Sequence, residues 1–291
     1  MHKRTRQAWM ALPVILLIGM AIGWAGSQSS VSAFGWPLFG LCGAIAFVVN
    51  WIVFLPSYWL QTEKYYDLTG SLTYLTLVAF GALFGSADPR AWLLGGLVTT
   101  WALRLGSFLF LRISQDGSDG RFDALKPDFA RFLMTWTLQG LWVFLTLSCA
   151  LAAITSEASK PLGLMALLGT IIWIVGFGIE SIADRQKRRF RHDPANQGRF
   201  ITSGLWAWSR HPNYFGEITL WVGIALIALP VLSGWQLVTL ISPVFVYVLL
   251  TRISGIPLLE ARELEKWGEE AQFQSYRART PALFPRPPRR P

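Results

Sequence analysis

Basic and acidic side chains crowd into one stretch of this chain, and their types are those that bind anions. Residues 184–217 read DRQKRRFRHDPANQGRFITSGLWAWSRHPNYFGE and bring together Asp184, Arg191, Arg199, Arg210, His211, Asn213, Tyr214 and Glu217. Long apolar runs flank the stretch on both sides. Fixed charge at the edge of an apolar segment is costly unless it faces water or a partner. Guanidinium groups match phosphate oxygens in bidentate geometry. The stretch therefore reads as a site for an anionic ligand. Pro212 disfavours helix at His211, so a helix is expected to begin directly after it with Asn213 as its cap. Free N–H groups at such a terminus suit phosphate. Glu180 and Asp184, four residues apart, share one face of the preceding helix.

Two other places carry reactive groups. QTEKYYDLTG, from Gln61, gathers Glu63, Tyr65, Tyr66 and Asp67. A phenol or carboxylic acid in a partly apolar setting can be tuned to donate a proton. An interfacial aromatic belt with solvated charges accounts for the same residues. Arg104 falls midway along TTWALRLGSFLFLRI, where a guanidinium needs a wet cavity, a ligand, or a carboxylate such as Glu180 or Glu217. Asn50, inside FVVNWIVF, is explained by a hydrogen bond between helices. Ile113 to Asp123 lacks the closing acid of a calcium loop and reads as a turn-rich connection. No metal site is expected, because His192 and His211 stand among cations.

The elements that must position these groups follow from composition. The 291 residues are 53% hydrophobic and only 15% charged, with a mean hydropathy of +0.40. That excludes an ordinary soluble domain, which would be about a quarter charged. Runs of roughly 17–25 apolar residues cross a bilayer, and they occur near 8–25, 34–60, 70–87, 91–111, 132–155, 162–183, 213–231 and 234–252. The expectation is an all-α, polytopic helix bundle of about eight spans, its first helix retained rather than cleaved. With the N-terminus cytoplasmic, all of the 26 Lys and Arg except Arg90, Arg104 and Lys160 fall in cytoplasmic segments, as the positive-inside rule requires. Both termini are thus expected inside, and the net charge of +9 is assigned to orientation rather than to nucleic acid. Cys42 and Cys149 each lie in an apolar run, which points to neither a disulfide framework nor a thiolate metal site. Leu258, Leu259, Leu264, Trp267 and Phe273 fall roughly on one helical face. The division expected is a membrane bundle over 1–255 and, over 256–291, an amphipathic interfacial helix with a disordered basic Pro-Arg end.

From Gly198, GRFITSGLWAWSRHPNYFGEITLWVG resembles the C-terminal domain of the membrane-embedded steroid 5α-reductase family, which includes sterol C14 and Δ7 reductases. YDLTG, RFD and SGIPLLE extend the likeness to an uncharacterised bacterial branch of that superfamily. The resemblance implies a helical bundle that binds NADPH and reduces a carbon–carbon double bond in a flat lipid. It puts Asp184, Arg191, Arg199, Asn213 and Glu217 on the cofactor, with Arg104 as a further arginine of the pattern. Arg210, His211 and Tyr214 of the RHPNY core join the expected cofactor site. Tyr66, Tyr65 or Glu63 would donate the proton. Trp101 stands where the steroid reductases place the tyrosine that polarises the substrate ketone, and Glu180 where they have asparagine. Trp has only an N–H to offer, which puts 3-oxo-steroid chemistry in question. The function expected is an NADPH-dependent reductase of a lipophilic enone. It would be monomeric, sit in a bacterial inner membrane and take its substrate from the lipid. The RHPxY core also resembles isoprenylcysteine and phospholipid methyltransferases that use S-adenosylmethionine. That reaction, or lipid binding without catalysis, is the alternative.

Overall fold

The computed structural model describes residues 3–116 and 120–288, with side chains at all of these except 112–116. Ten α-helices occur among the described residues: α1 (Lys3–Gly26), α2 (Leu38–Trp59), α3 (Tyr66–Phe84), α4 (Pro89–Asp116), α5 (Phe129–Ile154), α6 (Leu164–His192), α7 (Pro212–Ala228), α8 (Ile241–Val248), α9 (Ile256–Trp267) and α10 (Ala271–Arg279). A two-residue hairpin, Ser32–Ala33 with Trp36–Pro37, joins α1 to α2. Eight helical stretches are long and apolar enough to cross a membrane. The chain is an all-α, multi-pass membrane protein.

By backbone packing the chain divides into two compact units, Met1–Ala166 with Ile227–Ser242, and Leu167–Leu226 with Pro243–Pro291. In the first unit α5 is the axis. Its apolar window is 89% buried, against 28% for α1 and 33% for α4, and α1, α2, α3 and α4 all pack on it. Small residues let the neighbours close in, as at Gly43 beneath Phe144. Several polar side chains inside the bundle bond to backbone or to one another. Asn50 donates to the Ala46 carbonyl at 2.8 Å and to Thr73 Oγ1 across the α2–α3 contact at 3.3 Å, the interhelical bond expected of it.

Arg90 is the group in this unit that sequence reasoning passed over. It is 1% exposed, and it donates through Nη1 to the Ile227 carbonyl at 2.6 Å and through Nη2 to those of Pro161 and Lys160 at 2.9 and 3.3 Å. Beside it Asp88 accepts from the Arg90 amide and from Ser159 Oγ. A buried guanidinium is tolerable when its donors meet carbonyls, and here three chain segments are fastened by one side chain.

In the second unit, α6 and α7 approach closely along three glycines. A Cβ on Gly216 would lie 2.6 Å from the Gly176 carbonyl oxygen and the Glu180 nitrogen, and one on Gly223 would lie 2.5 Å from the Gly169 oxygen. The tail forms two helices where one face was expected, since α9 ends at Trp267 and α10 starts at Ala271. Both pack within this unit. The chain beyond α10 is tied down as far as Arg286, whose amide donates to the Trp208 carbonyl at 2.9 Å. Residues 289–291 of the Pro-Arg end and 117–119 of the 113–123 connection lie outside the described residues.

Candidate functional site

Residues 184–217 are organised by α6. The helix runs on past its apolar part to His192 because Arg185 to His192 are compatible with helix and basic groups favour its C-terminal end. Asp193 then caps a short turn by accepting from the Ala195 amide at 2.9 Å. The returning loop is laid back along the helix. Gln186 accepts from the Leu205 amide at 2.9 Å, and the Trp206 indole donates to the Ala183 carbonyl at 3.0 Å. Ala183, Ile201 and Trp206 form a buried cluster under that loop.

This layout creates a cavity of about 280 Å³ between the basic end of α6, the loop and the tail helices. Its floor is aromatic: Trp206 and Phe273 are 2% exposed, and Phe200 meets Phe273 edge-on at 5.1 Å and Tyr276 at 5.8 Å. Its walls carry six cations, Lys187, Arg191, Arg199, Arg210, Arg262 and Lys266, against one acid, Glu263. Lys187 lies over the Trp206 ring at 4.3 Å. The Tyr276 hydroxyl donates to the Trp206 carbonyl at 2.7 Å. Burial pushes the Tyr276 phenol above its usual pKa, as does the charge of Glu263, while Arg210 pulls it back.

Arg210 differs from its neighbours because every nitrogen of its guanidinium is already engaged. Nη2 and Nε donate to Glu260 Oε1 at 2.5 and 3.1 Å, and Nη1 to the carbonyls of Arg277 and Thr280 at 2.8 and 3.2 Å. His211, 1% exposed, stacks on Tyr214 at 5.6 Å, with Nε2 3.5 Å from the same Glu260 oxygen. These two residues of the RHPNY core hold the tail. Ser209 Oγ adds bonds to the Ala282 and Leu283 carbonyls.

The carboxylates and amide of the predicted set lie along the α6–α7 seam. Pro212 is itself the first residue of α7, so Asn213 sits inside the helix and is not its cap. A proline at the first helical position costs no hydrogen bond, which moves the boundary one residue forward. The Asn213 amide instead donates to Asp184 Oδ1 at 3.2 Å. Glu217 follows one turn later and is half-buried, and Glu180 is buried on α6.

The other predicted residues belong to the first unit. Glu63 is buried and paired with Lys126 at 2.7 Å; hydrogen bonding to Glu63 raises the pKa of that lysine. Tyr66 opens α3, donates to the Thr135 carbonyl at 3.2 Å, and packs against Phe122 and Trp136. Tyr65 is exposed. Arg104 is half-buried in α4. Trp101 is buried with its ring edge-on to Tyr74 at 5.1 Å.

A family model described as a protein of unknown function (DUF1295) matches residues 53–280. The chain belongs to that family. The DUF1295 match takes in every predicted site residue and both tail helices. Over 277 residues the chain is 22% identical to an uncharacterized protein of Schizosaccharomyces pombe, covering 83% of this chain and 78% of that one. It is 36% identical over 107 residues to a probable O-methyltransferase, ustE, of Ustilaginoidea virens, which is 31% of this chain and 37% of that protein. It is 33% identical over 75 residues to the mouse (Mus musculus) Delta(14)-sterol reductase TM7SF2, or 21% of this chain and 18% of the reductase. The chain therefore spans well under half of these two enzymes. No solved structure matches it.

Arg191 and Arg199, expected on the cofactor from sequence, both line this cavity; Lys187, Arg262 and Lys266 line it too and were given no such role. The signal available for the last two is their spacing, since 262/266, like 187/191, are four apart and so lie on one helical face.

Proposed function

We propose that this chain is an NADPH-dependent reductase of a carbon–carbon double bond in a lipophilic substrate. The distant similarity to sterol reductases supports the reaction class. The observation that carries the cofactor is the cavity, in which Arg191, Arg199 and Arg262 have no ion pair among the described residues and stand around an aromatic floor. All three side chains are exposed, and a cluster of like charge lining one cleft draws anions to it. Phosphate groups and a flat base fit that combination of rim and floor.

In this reading Arg191 and Arg199 hold phosphate, with Lys187 over Trp206 beside them. Arg210 and His211 fix the loop through Glu260 and do not bind ligand themselves. Asp184, Asn213 and Glu217 offer a hydrogen-bonding edge for hydroxyl and amide groups. When bound, the nicotinamide supplies a hydride, and the protein supplies position and a proton. Of the three proton donors considered, Glu63 is paired with Lys126 and Tyr65 is exposed, so Tyr66 is the one to test first. The substrate would come from the bilayer of a bacterial inner membrane, both termini being cytoplasmic on the distribution of Lys and Arg.

The similarity to an O-methyltransferase supports a second reading with S-adenosylmethionine. That ligand has no phosphate and carries a sulfonium cation, so a six-cation cavity disfavours it. The discriminating experiment is thermal shift of detergent-purified protein with NADPH, NADH and S-adenosylmethionine, repeated on Arg199→Ala, since a ligand of the native state raises its midpoint. Stabilisation by NADPH that is lost in Arg199→Ala is expected. Stabilisation by S-adenosylmethionine alone would replace the reductase reading with the methyltransferase.

A further inference from the structure

We infer that α9 is the second jaw of a diphosphate clamp, with Arg262 and Lys266 meeting the ligand opposite Lys187 and Arg191 of α6. This deepens the reductase reading, on which it rests only for the identity of the ligand that carries the diphosphate.

The position of α9 is fixed at both ends. Near its start Glu260 bonds Arg210, and at its end the Trp267 indole donates to the Gly198 carbonyl at 2.6 Å. Trp267 also meets Phe200 at 5.7 Å, so the helix end is pinned to the loop that carries Arg199. Residues 260 and 267 are two turns apart on one face. Arg262 and Lys266 fall between the two anchors, one turn from each other, and both line the cavity. Lys187 and Arg191 repeat the spacing on α6. Two basic pairs on two helices, with Arg199 on the loop, enclose a space that holds one acid. Once Arg210 is set against Glu260, five cations face Glu263.

Charge decides the ligand class. One phosphate group satisfies one jaw and leaves the other facing like charge. A diphosphate carries two anionic groups a few ångström apart, which one jaw each can meet, and bidentate arginine contacts favour that arrangement. At about 280 Å³ the cavity is at the small end of ligand pockets, room for a diphosphate and an adjoining ring rather than for a whole dinucleotide. Such a ring would meet the half-buried Phe190, Phe200 and Trp267 at the cavity wall, since Trp206 and Phe273 are buried beneath them. Arg262 and Lys266 are exposed, so replacing them removes charge without opening a core.

The test is calorimetric titration of the full chain in a non-ionic detergent with inorganic pyrophosphate and with orthophosphate at matched ionic strength. Pyrophosphate is expected to bind about tenfold or more tighter than orthophosphate, and Arg262→Gln/Lys266→Gln to weaken it by a similar factor. The double variant should melt no lower than the parent without ligand, which separates lost binding from lost fold. Pyrophosphate binding unchanged in the double variant would overturn the clamp. A titration with NADPH separates the two readings. NADPH binding that ignores both substitutions sinks the clamp and spares the reductase, whereas pyrophosphate binding that needs both residues, with no binding of NADPH, supports the clamp and removes the reductase. Nanodiscs of phosphatidylcholine with and without phosphatidylglycerol identify the source of phosphate. Equal pyrophosphate affinity in both supports a soluble ligand, and loss of it in phosphatidylglycerol gives the cavity to a lipid headgroup and overturns the proposal.

Discussion

Arg210 and Glu260, 50 residues apart, share a fork in which Nε and Nη2 both reach one carboxylate oxygen, at 3.1 and 2.5 Å. The same carboxylate faces His211 and Arg277 at 3.5 and 3.6 Å, so one acid joins the start of α7 to both tail helices. Removing it strands a guanidinium that has little water to turn to. The pair is partly exposed, so Glu260→Ala should destabilise the protein by about 1–2 kcal/mol, the order of hydrogen bonds to a charged group. A thermal midpoint equal to that of the parent would show that the tail is held by its apolar contacts alone.

The α6–α7 seam gives a sharper comparison, because two glycines of one helix differ only in what lies opposite. A Cβ at Gly176 would stand 2.5 Å from the Leu220 nitrogen, while one at Gly178 meets nothing within 4 Å. Gly176→Ala is expected to cost about 1–3 kcal/mol by overpacking against backbone that cannot rotate away. Gly178→Ala should be neutral or stabilising by about 0.5 kcal/mol, since alanine loses less entropy in a helix. Equal melting of the two variants would mean that the helices can separate at no cost.

The apolar spans were legible because a stretch long enough to cross a bilayer repeats its signal over about 20 residues, and a slip of a few does not erase it. That Arg191 and Arg199 border one basic cavity follows from residue types a reader of the sequence could see. What escaped was pairing across the sequence. Nothing near Asn213 indicates that its amide turns to Asp184, 29 residues back. Pro212 could be read as lying before the helix or as its first residue, and the second holds because a missing N–H costs nothing there. Arg262 and Lys266 looked like the solvated face of an amphipathic helix until the anchors at Glu260 and Trp267 fixed which way that face points. Lys126 likewise gives no sign in sequence that it holds Glu63.

Arg90 tests how much one buried cation contributes to the first unit. Its planar fork reaches three carbonyls in different directions, which a single ammonium on a flexible stem does not reproduce. Arg90→Lys should therefore lower stability by about 2 kcal/mol, because carbonyls of Ile227, Pro161 or Lys160 lose their donors inside the protein. The check is the midpoint of thermal unfolding in detergent. Full stability of Arg90→Lys would mean that the three carbonyls find water instead.

Tyr276 makes the second unit sensitive to alkali, and the sign follows from its raised pKa. Burial, with the nearby charge of Glu263, keeps the phenol protonated in the folded protein beyond the ordinary value of 10.0. Protons are then bound more tightly folded than unfolded once pH passes that value. Its contribution is therefore complete below about pH 10 and is lost as pH rises toward the higher folded pKa. The O–H bond to the Trp206 carbonyl disappears with the proton. Tyr276→Phe should cost about 1 kcal/mol at neutral pH through that lost bond, and it should unfold with a shallower decline of midpoint between pH 9 and pH 11 than the parent. Parallel declines in the two proteins would assign the alkaline sensitivity to other groups. Pyrophosphate present during the same measurement should raise both midpoints, since binding adds to native stability by mass action.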